Sequence, residues 1–166
     1  MRADGADRHR LPNPDAGADW PSWSPDGKLI LVTSGSEPEQ LWTIRPDGSA
    51  PTQLTQKGGG QGAWAPDGRR IAFASGRDGN HDAEDPADWN EEIYVMDRDG
   101  SNPTRVTRIA GNDHWPPTWS PHGTHIAFTS DGCETNSEIL IADAMGSRVL
   151  NLTNHPSRDI FPSWHR

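Results

Sequence analysis

The sequence predicts an all-β fold, a β-propeller arc of about three blades, each a four-stranded antiparallel meander. Two observations carry this. Trp23-Ser24-Pro25-Asp26-Gly27 returns as Trp64-Ala65-Pro66-Asp67-Gly68 and as Trp119-Ser120-Pro121-His122-Gly123, and Phe161-Pro162-Ser163-Trp164 opens a fourth copy. The four Trp residues are 41, 55 and 45 residues apart, a period at which one unit cannot bury its apolar face alone and must stack on neighbours. Second, the segments between the motifs are short, β-branched and aromatic, and none keeps a 3.6-residue period over three turns.

Each unit reads as strands A to D, inner to outer. Strand A leads into the Trp motif. Pro-x-Gly follows, with Pro supplying φ near −65° and Gly permitting positive φ, so a tight hairpin closes. Strand B is Leu29–Val32, Ile71–Ala74 and Ile126–Phe128; strand C is Leu41–Ile44, Ile93–Met96 and Ile139–Ala142. Gly turns come next at Pro46–Ser49, Arg98–Ser101 and Ala144–Ser147. Strand D ends in Gln53-Leu54-Thr55, Arg105-Val106-Thr107 and Asn151-Leu152-Thr153. Trp23, Trp64 and Trp119 are expected to be equally buried, packing near Ile30, Ile71 and Ile126. Residues 1–18 show no apolar pattern and read as a flexible leader. The partial propeller is 19–166, with blades at about 19–57, 58–110 and 111–156 and the start of another at 157–166.

Composition agrees: 31% hydrophobic residues, 17 Gly and 15 Pro suit many short strands and turns. Low apolar content alone would suggest disorder, but eight Trp residues in strict repeats argue otherwise. The single cysteine, Cys133, excludes an internal disulfide and sits in what reads as a turn. No apolar segment is long enough to span a bilayer, and Met1-Arg2-Ala3-Asp4 begins no signal peptide. A net charge of −9 disfavours nucleic acid.

The order W-S-P-D-G, I-A-F-A-S at Ile71–Ser75, E-I-Y-V-M-D-R-D-G-S at Glu92–Ser101, then L-T, resembles the WD-like repeats of TolB-type propellers. The resemblance covers residues 19 to 164. It implies a propeller fold. For function it implies a non-catalytic binding scaffold for a protein or peptide or, alternatively, the propeller portion of a larger enzyme, an S9-type peptidase or polysaccharide lyase with its catalytic part elsewhere. Members are often periplasmic. Three blades and one strand do not close a ring of four to eight. Three explanations stand, a longer chain, two associated chains of three blades each, or an isolated arc; a chain alone would partly expose Leu29, Leu31, Leu41, Leu140 and Val149 on its terminal faces and is expected to dimerise or aggregate through them.

A meander puts the A–B and C–D turns at one end, and the B–C loops and D-to-A crossovers at the other. The second end carries the candidate sites. The crossovers supply Asp19-Trp20, Asp113-His114-Trp115 and Asp159-Ile160-Phe161, an Asp shortly before an aromatic each time. Around an axis they would ring a channel mouth suited to peptide, sugar or cation; equally, the Asp could cap the crossover while the aromatic packs between blades. The B–C loop Ser75–Glu92 holds seven carboxylates. It reads as a solvated insertion or as a Ca²⁺ site in which Asp78, Asn80, Asp82, Asp85, Asp88 and Glu91 offer oxygen ligands, without the EF-hand remainder. Ser130–Glu138 reads as a smaller loop of the same kind. Gly58-Gly59-Gly60 reads as a flexible crossover. No nucleophile elbow, His-Glu-x-x-His, paired cysteine or phosphate loop is present, so the expectation is a protein that is not an enzyme.

Overall fold

The computed structural model describes residues 17–78, 91–109, 115–133 and 136–165. They form twelve strands and no helix: β1 Ala18–Trp23, β2 Ile30–Ser34, β3 Gln40–Ile44, β4 Thr52–Gln53, β5 Gly60–Trp64, β6 Arg70–Ser75, β7 Glu92–Asp97, β8 Thr104–Arg105, β9 Thr118–Trp119, β10 His125–Cys133, β11 Asn136–Asp143 and β12 Val149–Asn151. Three antiparallel four-stranded sheets result, β1–β4, β5–β8 and β9–β12, each a meander. The fold is therefore an incomplete propeller of three blades. Residues 1–16 of the expected leader lie outside the described residues, and β1 begins at Ala18, one residue before the expected blade.

The hairpins follow from the motif. Gly27, Gly68 and Gly123 have φ of 68°, 66° and 67°, and each donates its N–H to the residue three earlier, Ser24, Ala65 and Ser120. The register then sets Trp23 opposite Ile30, Trp64 opposite Ile71 and Trp119 opposite Ile126. The Leu/Val-Thr pairs lie just past strand D. Leu54, Val106 and Leu152 donate to the carbonyls of Leu41, Ile93 and Ile139. The N–H groups of those same three residues donate to the hydroxyls of Thr55, Thr107 and Thr153 at 2.8–3.0 Å. The threonine side chain thus continues the ladder where the backbone leaves it.

Period-two alternation assigns the faces. Ala72, Ala74, Ile93, Val95 and Val106 of the second sheet pack on Ile126, Phe128, Leu140 and Ala142 of the third. Ile71, Phe73, Tyr94 and Met96, on the other face of the second sheet, pack with Trp64 against Leu31 and Leu41 of the first. Ile30, Val32 and Ile44, with Trp42, form a smaller cluster on the first sheet.

Four expectations are corrected. Trp64 and Trp119 are buried at 7% and 6%, but Trp23 is 58% exposed. The reason is that each Trp is covered by the preceding sheet: Trp119 Nε1 donates to Ala63 O and Trp164 Nε1 to Thr118 O, both at 3.1 Å. Leu31, Leu41 and Leu140 are buried because they point toward the second sheet. Leu29 and Val149 are half-buried as expected. Leu150 and Leu152 carry the exposure on the third sheet. Finally, Ser130–Cys133 continues β10 and Asn136–Glu138 opens β11, so that Cys133, expected in a turn, is a strand residue paired to Asn136.

Candidate functional site

The loop end carries a repeated irregularity. Trp20, Gln61 and Phe161 each precede a motif Trp by three residues, and have φ of 53°, 54° and 58°. None is glycine, so each holds a left-handed backbone at a cost of about 1–2 kcal/mol. In β1 and β5 the register slips at this point, between Asp19 and Ser22 and between Gly60 and Ala63. The preceding sheet braces the irregularity. Gln61 N–H donates to Thr33 Oγ1 at 2.8 Å, and Phe161 N–H to Thr129 Oγ1 at 3.2 Å. Between the second and third sheets both partners are missing: Ala74 has no hydroxyl and Pro116 has no N–H.

The expected mouth residues divide into two groups. Trp20, 41% exposed, lies on β1 with Asp19. Trp115 and Phe161 meet edge to face at 4.8 Å between centroids, and the Arg158 guanidinium lies 5.7 Å from the Trp115 ring. Asp159 N–H donates to Ser137 O, pinning that crossover, and Phe161 remains 51% exposed. Asp113 and His114 lie outside the described residues.

Of the expected cation ligands, Asn80, Asp82, Asp85 and Asp88 lie outside the described residues. Asp78 accepts the Tyr94 hydroxyl and lies 3.8 Å from Arg105 Nη1. Burial, then that bond to Asp78, pushes the Tyr94 phenol up. Glu92, counted in the acidic loop, is buried and ion-paired to Arg105. Among the described residues no group of three His, Cys, Asp or Glu could hold a metal ion.

Sequence reasoning missed a cleft of about 400 Å³ between the loop ends of the first two sheets. Its floor is Gly58–Gly60, its walls include Glu37, Glu39, Gln61 and Glu91, and Lys57 and Arg77 stand at its sides. The glycine run is packed rather than loose: a Cβ on Gly59 would come within 2.9 Å of Phe73 Cδ2. Arg77 stacks 4.7 Å from the Phe73 centroid and 5.0 Å from that of Tyr94, and donates to Gly58 O at 3.0 Å. Burial first, then Glu39, pushes the Glu91 carboxyl up from 4.5 to about 7. Glu39 also borders a second cavity, about 460 Å³, that Asp19 and Thr33 line. The signal available in sequence was the triple glycine bracketed by Lys57 and Gln61.

No protein-family profile matches the chain. An uncharacterized protein of Agrobacterium fabrum is 30% identical over 136 residues, 77% of this chain and 45% of that protein. The Tol-Pal system protein TolB of Geobacter sulfurreducens is 42% identical over 83 residues, 49% of this chain and 17% of that protein. The solved structure of a putative TolB from Agrobacterium tumefaciens superposes with a TM-score of 0.70 at 26% identity, covering 84% of this chain and 50% of that one.

The fold is that of a TolB-like β-propeller arc.

The chain spans less than half the length of either curated relative. The TolB-like fold is shared more widely, by an oligogalacturonate lyase among others, at 20% identity and a TM-score of 0.55 over 76% of this chain and 35% of that one.

Proposed function

We propose that this TolB-like chain is a non-catalytic scaffold that binds a protein or peptide on its loop face. One observation carries the reading. Trp20 and Phe161, large aromatics at equivalent positions, stay exposed on a left-handed backbone beside Asp19 and Asp159. Strain retained at a repeated, solvent-facing position favours recognition over packing, and rigid aromatics next to carboxylates suit a peptide. The test is enrichment of a displayed peptide library on the wild-type chain and on Trp20→Ala/Phe161→Ala. A sequence motif recovered only by the wild type supports the reading; identical recovery by both rejects it.

Self-association is proposed with it. Ile139, Ile141 and Leu152 hold on the third sheet the places of Ile93, Val95 and Val106 on the second. Val106 is 2% exposed under its neighbour, whereas Leu152 is 57% exposed. Residues 157–165 cover part of that face, and the Trp23 face of a second copy has the composition that already docks there within the chain. Light scattering across concentrations decides it: a constant monomer mass would reject a second copy. The alternative, the propeller portion of a peptidase or lyase, has the likeness of fold alone behind it.

A further inference from the structure

We propose that residues 159–164 of one chain add to β2 of a second copy in the place of that copy's own β1, so that two chains join by exchanging an inner strand. The inference rests on the self-association proposed above and adds how the second copy is held.

Among the described residues, 159–164 stand as an inner strand that no sheet includes. Phe161 has φ of 58° and donates its N–H to Thr129 Oγ1 of the third sheet at 3.2 Å. Gln61 of β5, with φ of 54°, donates in the same way to Thr33 Oγ1 of the first sheet at 2.8 Å. Trp164 Nε1 donates to Thr118 O as Trp119 Nε1 donates to Ala63 O, both at 3.1 Å. Each bond runs from an inner strand to the preceding sheet. Yet β5 and β9 are paired to β6 and β10, whereas residues 159–164 belong to none of the three sheets. An inner strand with an unpaired edge is a template for another strand.

Which strand fits that edge is read from the repeats. Aligned on the motif Trp, Trp20-Pro21-Ser22-Trp23 of β1 and Phe161-Pro162-Ser163-Trp164 share the order aromatic, Pro, Ser, Trp. The second and third inner strands read Gln61-Gly62-Ala63-Trp64 and Pro116-Pro117-Thr118-Trp119 instead. Trp20 and Phe161 also share the left-handed backbone. Residues 159–164 therefore match the edge of β2 that accepts β1. On the register of β1 they would set Trp164 opposite Ile30 and Ser163 opposite Leu31. Pro162 would fall where Pro21 does, inside the slip between Asp19 and Ser22, so its missing N–H costs no ladder bond.

Two inner strands cannot occupy one place. When the Trp23 face of a second copy docks on the third sheet, its β1 meets residues 159–164 already seated there. Those residues are held by Phe161, by Trp164 and by Asp159 N–H to Ser137 O at 2.8 Å. Arg158 Nε, donating to Ser137 Oγ at 2.8 Å, braces their start. By contrast, β1 is exposed at every position but Ser22, with Trp23 at 58%. It is the strand that gives way. One ladder replaces another, so the exchange conserves pairing while the face of Ile139, Ile141 and Leu152 gains cover. Made reciprocally, it joins two chains of three sheets each into a ring within the range of about four to eight blades.

The experiment locks β1 in place. Ala18 and Ser34 are cross-strand partners, so Ala18→Cys/Ser34→Cys in a Cys133→Ser background closes a disulfide at the end of β1 away from the Trp23 hairpin. Held at both ends, β1 cannot leave β2. Light scattering compares the oxidised and reduced forms, with circular dichroism to show that both are folded. The expected result is a concentration-dependent dimer when reduced and one at least about tenfold weaker when oxidised. A dimer of equal strength in both forms would overturn the exchange and leave docking of intact faces standing. The wild-type chain gives a second reading by amide hydrogen exchange across concentrations. Residues 159–164 should gain protection and β1 should lose it as the dimer forms; protection of β1 unchanged or raised would overturn the exchange. A monomer mass at every concentration would sink the self-association itself, and the exchange with it.

Discussion

Replacing each motif tryptophan by alanine should produce unequal losses from identical changes. Trp119 is 6% exposed, donates Nε1 to Ala63 O at 3.1 Å and carries the Arg70 guanidinium 4.8 Å from its ring. Arg70 also donates to Gly123 O at 2.9 Å, so the ring and the arginine together clasp the second sheet to the third. Truncating a buried Trp costs about 3–5 kcal/mol, against a total stability of about 5–15 kcal/mol for an ordinary domain. Trp119→Ala should therefore lower the urea midpoint severely or unfold the chain. Trp23 has the same motif and the same register but is 58% exposed. Trp23→Ala should cost about 1 kcal/mol or less. Circular dichroism melts in urea at low protein concentration, where self-association is absent, measure both. Equal losses would refute the argument that the preceding sheet, and not the motif itself, buries the tryptophan.

Gly100→Ala should cost more than Gly27→Ala. Both have positive φ, worth about 1–2 kcal/mol of strain, but a Cβ on Gly100 would lie 2.5 Å from Leu54 O while one on Gly27 meets nothing within 4 Å; thermal melts compare them. Thr33→Val should lose about 1–2 kcal/mol by leaving Gln61 N–H without its acceptor, which urea melts against the wild type measure. Asp26, Asp47, Asp99 and Asp143 accept from Ser24, Ser49, Ser101 and Ser147, which holds their carboxyls below the ordinary 3.8. Their stabilisation is full above 3.8 and disappears as pH falls through the lower folded values, so Ser147→Ala should flatten the acid limb of stability against pH. Glu91 has the opposite sign: with its folded value raised from 4.5 to about 7, stability is lost as pH rises across that interval. Glu91→Gln should match the wild type below 4.5 and exceed it above 7.

The sheets were legible because each local choice repeats. Pro25, Pro66 and Pro121 set the same turn, Gly27, Gly68 and Gly123 close it, and the apolar runs after them can only be strands. Face assignment was less legible. Ile30 and Leu31 are equally apolar, and alternation says only that they point to opposite sides, not which side has a neighbour. Leu31 was expected to be partly exposed and proved buried for that reason, and Trp23 was expected buried and proved exposed. The cleft was hidden by a different limit. Gly58–Gly60 reads as slack when considered alone, because what fills the space above a glycine belongs to other segments, here Phe73, Glu39 and Thr33. The same limit applies to the bracing threonines. Thr33 and Thr129 look like ordinary strand residues until Gln61 and Phe161 are found left-handed above them. Ala74 opposite Pro116 then becomes intelligible as one change in two places: a junction that has lost its donor has no use for an acceptor. The bracing is thus local to each junction. If the left-handed residues present the ligand-reading side chains, the second-to-third junction is the position where the loop face offers a rigid proline in place of a hydroxyl-held residue, and where side-chain substitution should alter binding with least effect on stability.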